Sequence, residues 1–222
     1  MNRSIVRHLI LKDLHLMRWM SRSALVGGLV AVGLMSVSPL PIAGGGVLLV
    51  CALVVLNIFL VMHGVVQERK DQVAVFVLSL PVSTTQYVAA KVVANLIAFS
   101  VPWLVLTAAT LVMIDVSQMP NGFLPFWTAV LGYLFFYYCV LLGVGLMTTS
   151  SGWHATAIIA GNISVNFLIM ALFASPSVQA YGAGDTAVWT TGMAALVVAE
   201  IVGGIAVLAA VVMTHSRRRE FV

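Results

Sequence analysis

Five histidines, two cysteines and seven carboxylates are the residues of this chain best suited to act as ligands, bases or nucleophiles. Their spacing excludes more chemistry than it offers. His8, His15, His63, His154 and His215 are scattered, with no His-Glu-x-x-His pair, no carboxylate dyad and no Gly-x-Ser-x-Gly elbow. Cys51 and Cys139 both fall inside apolar runs, where a cysteine reads as a small buried side chain and not as half of a disulfide or a metal pair. The three lysines Lys12, Lys70 and Lys91 never follow a glycine, so no Gly-x-x-x-x-Gly-Lys loop can cradle nucleotide phosphates. We therefore expect no catalytic residue, metal site or cofactor on this chain. Energy for any work must come from a partner or from an ion gradient.

What remains is a set of polar side chains within long apolar runs. Glu200 is the only carboxylate well inside such a run. An ionised side chain at that depth costs about 3 kcal/mol or more unless it is paired, hydrated or protonated. Ala195, Ala199 and Gly203 form a small-residue ridge beside it, suited to close helix contact. Two readings stay open: a charged group lining a path, or a protonated carboxyl bonded to a neighbouring helix. Asn57, Asn162 and Asn166 are amides at similar depth, the last two one turn apart on one face. Each serves either an inter-helix hydrogen bond or a ligand.

The one internal stretch with several charges runs from Glu68 to Lys91. Glu68, Arg69, Lys70 and Asp71 open a helix-compatible segment, with acidic charge where it complements a helix dipole. Val73, Phe76, Val77 and Leu80 then place one apolar stripe on a short helix. Leu80-Pro81-Val82-Ser83 ends it, because proline drives its predecessor out of the helical region. The charges at the start of this stretch read as solvent-exposed, so replacing Glu68 is expected to cost little stability.

The elements that must position these residues follow from composition. With 61% hydrophobic and 8% charged residues, the chain is a polytopic membrane protein, since soluble domains carry about 25% charged residues. Six transmembrane helices are expected, over about 23–40, 47–66, 92–114, 126–147, 155–174 and 192–213, in one all-α domain covering 1–222. Pro39, Pro41 and Gly44–Gly46 read as the first turn, and Pro102 as a helix interruption whose freed carbonyl a neighbour must satisfy. Residues 2–20 form an amphipathic interfacial helix, basic on one side and apolar on the other, although Asp13 intrudes on the apolar face. Its bland alternative is a solvated basic leader. All 11 Lys and Arg lie within 1–22, 69–91 and 217–219. With six spans these share one side, which the positive-inside rule makes cytoplasmic, with both termini. They form no continuous basic face, so nucleic acid is not an expected partner, whereas anionic membrane lipid is.

The order Glu68, charges, short apolar helix, Leu80-Pro81-Val82-Ser83 and Lys91 resembles the loop between the second and third spans of the ABC type-2 permeases. The opening Leu9-Ile10-Leu11-Lys12-Asp13-Leu14 is similar to the start of the smaller members. The resemblance implies that Glu68–Asp71, Phe76, Leu80 and Pro81 belong to a coupling helix pressed on a separate ATPase subunit, which holds ATP and Mg. It implies a second permease subunit, the same chain or a paralogue, in a bacterial inner membrane. It also implies a substrate path lined by the second and fifth spans, here Asn57, Phe59, Asn162, Asn166 and Phe167, and export of an amphipathic or hydrophobic cargo such as a peptide, drug or lipid-like compound. A secondary transporter or channel is the alternative, and a scaffold without transport another. The first would need ionisable groups in several spans, where this chain has Glu200 and, near an end, His63.

Overall fold

Long runs of Leu, Val, Ala and Ile, broken by few turn residues, leave the backbone no partner but itself, and it forms helices. A computed structural model describes residues 3–36, 39–68, 84–117 and 119–217. Among them are seven α-helices and no strand: α1 (Arg3–Met35), α2 (Pro39–Val61), α3 (Thr84–Val116), α4 (Leu124–Met147), α5 (Ser151–Ala174), the short α6 (Pro176–Tyr181) and α7 (Thr191–Arg217). A π-helical turn, Met62–Gln67, continues α2.

The six long helices alternate in direction around α4, the most buried of them. On α3 and α4, Trp103 Nε1 donates to the Leu131 carbonyl at 2.8 Å and the Tyr138 hydroxyl to the Asn95 carbonyl at 2.8 Å, which fixes an antiparallel pair. Phe99 stacks on Tyr138 with centroids 4.2 Å apart. The Tyr137 hydroxyl reaches the Ile158 carbonyl of α5 at 3.3 Å. The aromatic middle of α4 therefore holds the bundle together, with Phe135 and Tyr138 on α3, Tyr137 on α5 and Phe136 against Gly203 of α7. Helices α1 and α3 run parallel, because contacts pair Asp13 with Lys91, Ser21 with Ala98, and Gly28 with Leu106.

Two expectations change. Residues 3–35, which join the expected interfacial helix (2–20) to most of the expected span (23–40), form one uninterrupted 33-residue helix. Met20-Ser21-Arg22-Ser23 contains no breaker, and extending a helix is far easier than nucleating another. Its inward seam of Asp13, Met17, Gly28, Ala31 and Met35 faces protein, while Leu16 and Trp19 stay exposed. Pro39, Pro41 and Gly44–Gly46 lie inside α2 and not in a turn. Proline at a first helical turn gives up no hydrogen bond, and a Cβ on Gly45 would stand 2.7 Å from the Ala31 carbonyl of α1, so glycine here allows close approach.

Five stretches among the described residues are long and apolar enough to cross a membrane: Gly44–Gln67, Gln86–Val116, Asn121–Met147, Ser151–Ala174 and Thr191–Thr214. The N-terminal helix is not among them. Beyond Arg22 its uncharged part, Ser23 to Met35, rises only about 20 Å at 1.5 Å per residue. The loop 175–191 carries α6, and the Gly122 amide donates to the Gly184 carbonyl at 2.9 Å, which joins the two loops at that end.

Candidate functional site

Two sites emerge at opposite ends of the bundle. At the first, α1, the end of the π-helical turn and α3 bring four charged side chains together. Lys91 Nζ is 2.8 Å from Asp13 Oδ2 and also pairs with Glu68 Oε2. Lys12 Nζ lies 3.0 Å from Glu68 Oε1 and 3.5 Å from Asp13 Oδ1. Two cations and two anions leave the group neutral overall, which is what allows Asp13, Glu68 and Lys91 to be buried while Lys12 is half-exposed. Burial raises the Asp13 carboxyl above the ordinary carboxylate value, an effect that the Lys91 ammonium opposes. At Lys12 partial burial works against the charge, yet bonding and attraction from Glu68, with Asp13 adding, leave the ammonium above the usual lysine value.

The packing beneath these charges is specific. Asn95 Nδ2 donates to the Lys91 carbonyl at 3.0 Å, and the Tyr138 hydroxyl caps the Asn95 carbonyl. Gly64, in the π-helical turn, lies under Met17 and the Asn95 amide, with no room for a side chain. Such turns re-aim a helix at functional sites, and here one delivers Glu68 to Lys91. The first and last residues of the Glu68–Lys91 stretch are thus in direct contact. Both are tied to α1, Glu68 through Lys12 and Lys91 through Asp13, the residue that interrupts the apolar face of that helix. Glu68 is buried and doubly paired, which overturns the expectation that it is exposed and replaceable at little cost. Arg69, Lys70, Asp71, Phe76, Leu80 and Pro81 lie outside the described residues.

The second site is an apolar cleft of about 490 Å³ between α2, α4 and α5. Val50, Val54, Trp127, Val165 and Phe173 wall it, and the amides of Asn162 and Asn166 are its polar side chains. Asn162 Nδ2 donates to the Ile158 carbonyl and Asn166 Nδ2 to the Asn162 carbonyl, both 2.9 Å, so their Oδ1 atoms remain to accept. Phe59 and Phe167 are exposed and do not line it. Asn57 is buried elsewhere, donating to the Leu134 carbonyl at 3.4 Å, the inter-helix packing alternative for that residue. His63 is exposed, its ring 3.3 Å from the Phe59 carbonyl.

Glu200 is buried against α4, where a Cβ on Gly132 would stand 2.7 Å from Oε2. Among the described residues neither of its oxygens has a hydrogen-bond partner. The buried seam of α7 runs through Met193, Glu200, Gly204, Leu208 and Val211. Ala195 and Ala199 are exposed, so the expected small-residue ridge is not the contact, and Glu200 sits within the interface instead of at its edge. No group of three or more His, Cys, Asp or Glu suited to a metal ion occurs among the described residues.

Sequence reasoning missed Asp13 and Lys12 as partners of the Glu68–Lys91 stretch. The signal was present: an acidic residue on an apolar helix face calls for a buried cation. Comparison with known proteins gives one match. Residues 8–216 fit a family described as "ABC-2 family transporter protein". Searches of curated proteins and of solved structures find no match. A match over nearly the whole chain, with described residues that are all-helical and include five helices long and apolar enough to cross a membrane, makes this a multi-pass membrane protein of the ABC-2 transporter family.

Proposed function

We propose that the chain is the membrane permease of an ATP-driven exporter, and that its cargo is an amphipathic or hydrophobic molecule that enters the cleft between α2 and α5. The cleft carries this reading. Its size lies in the range of pockets that enclose small molecules, and its walls are apolar with two convergent amides. It opens sideways beside Val47, Val55 and Phe173, all exposed, where a second permease subunit would close it. On this reading α1 makes the sixth crossing with help from its neighbours, and the ion cluster, both termini and the stretch 69–83 face the cytoplasm.

A separate ATPase subunit binding ATP and Mg docks on the stretch 69–83, with Arg69, Lys70, Asp71, Phe76, Leu80 and Pro81 as contacts. The ion cluster supports this role: a segment whose two ends are clasped to each other and to α1 transmits a push to three helices at once. Co-purification of the chain with its ATPase, followed by cargo-stimulated ATP hydrolysis in lipid, tests the proposal. Val165→Trp, which fills the cleft, should abolish stimulation while basal hydrolysis persists. Arg69→Glu with Phe76→Ala should instead lower ATPase docking. Stimulation that survives a filled cleft would show the path to lie elsewhere.

A further inference from the structure

Among the described residues, the two arginines of α1 that follow the ion cluster have no counter-charge. Arg18 and Arg22 are exposed, one turn apart on the same face, and make no ion pair among the described residues. Like charges at that spacing repel. Between them and α3 lies a groove of about 230 Å³ whose floor is Leu25, Ile97, Val101 and Pro102. Ile97 and Val101 are exposed there at 41% and 55%. The groove is smaller than pockets that enclose a whole drug-sized ligand, so it suits one part of a larger molecule.

Its depth says which kind. The crossing stretch Gln86–Val116 has 31 residues and rises about 46 Å, well beyond about 30 Å of hydrocarbon. Counting about 20 residues back from Ile114, the last residue before the exposed Asp115, puts the hydrocarbon boundary near Asn95, a turn or less from Ile97. The pairing of Ser21 with Ala98 sets Arg18 and Arg22 at that same level. The wall is also held open by chemistry. Pro102 has no N–H to offer the Ala98 carbonyl, and Ser21 Oγ supplies the missing donor at 3.0 Å. Positive charge thus stands at the headgroup level above an apolar slot that continues into the bilayer.

We propose that this groove is a binding site for an anionic phospholipid of the leaflet that meets the charged end of the bundle, its phosphate between Arg18 and Arg22 and the upper part of one acyl chain along Ile97 and Val101. The apolar floor distinguishes this occupant from an acidic protein surface, which would match the arginines but leave the slot empty.

The test uses the full chain in a neutral maltoside detergent, with dioleoyl-phosphatidylglycerol, dioleoyl-phosphatidylcholine and glycerol phosphate as probes, read by native mass spectrometry and by thermal shift. Wild type should retain phosphatidylglycerol in preference to phosphatidylcholine and show no response to glycerol phosphate. R18Q/R22Q should lose about 30-fold in phosphatidylglycerol affinity, at roughly 1 kcal/mol for each basic residue. Val101→Trp, which obstructs the slot with both arginines intact, should lose retention as well. Equal retention of both lipids by wild type, or an unchanged preference in R18Q/R22Q, overturns the proposal. Binding of glycerol phosphate as tight as that of the lipid reduces the site to an anion site and overturns it too. Loss of lipid-free ATPase docking in R18Q/R22Q with lipid retention intact would assign the arginines to a protein partner instead.

Discussion

Lys91→Met isolates what the ion cluster contributes. The lysine is 5% exposed and touches both Asp13, 3% exposed, and Glu68, 9% exposed. Methionine keeps the length and apolar bulk of the stem and removes the charge. Two cations and two anions become one cation and two buried anions, and the remaining Lys12 is half in solvent. Breaking a buried pair from one side costs about 3–5 kcal/mol, because the other charge stays buried without compensation. For a chain of this size each kcal/mol moves the midpoint by about 2–4 °C, so Tm should fall by about 6–20 °C. The assay is thermal unfolding in detergent, followed by intrinsic fluorescence, with Asp13→Asn and the double variant measured beside it. Because Asp13→Asn removes one orphaned charge, D13N/K91M should be more stable than K91M alone by at least about 1 kcal/mol, beyond the scatter expected of independent sites. A K91M protein that melts within about 2 °C of wild type would refute the reasoning, since that is under the shift of a single kcal/mol. So would a double variant whose losses simply add.

Three further outcomes follow from particular contacts. Ser21→Ala should cost about 1–3 kcal/mol by stranding the Ala98 carbonyl, and Pro102→Ala in the same chain should restore most of it by returning the helical N–H; no rescue in the melting curves would mean that the hydroxyl bond is idle. Glu200→Gln should assemble normally while Glu200→Lys does not, since the site against Gly132 accepts a neutral group of that shape and has no counter-charge for a cation; equal yields of the two in size-exclusion profiles would contradict this. Gly161→Ala should destabilise by about 1–3 kcal/mol, because its Cβ would enter the Tyr137 ring, and Tyr137→Leu should relieve the clash. An unperturbed Gly161→Ala melting point would show the two helices free to part.

Composition and charge placement alone settle the class of this molecule. A chain with 61% hydrophobic and 8% charged residues, arranged in long unbroken apolar runs and not in the alternating pattern of barrel strands, satisfies its backbone in a bilayer as helices, and the family motif is carried by local order from Glu68 to Lys91. Local chemistry also predicted that the carbonyl freed by Pro102 needs a donor, though not which one. Tertiary structure was needed wherever the partner lies far away in sequence. Ser21 and Ala98 are 77 residues apart, Lys12 and Glu68 56, and no periodicity relates them. The same holds for Asp13, which a helical wheel can only mark as misplaced until Lys91 is brought beside it. Local patterns misled where one residue type serves two purposes. Pro39, Pro41 and Gly44–Gly46 suit a turn, yet proline is equally at home in a first helical turn and glycine in a close helix contact. Packing against α1 decides between them. Asn57 and Asn162 are alike in sequence, amides in apolar helices; only the arrangement of α4 between them puts one in the core and the other on the cleft.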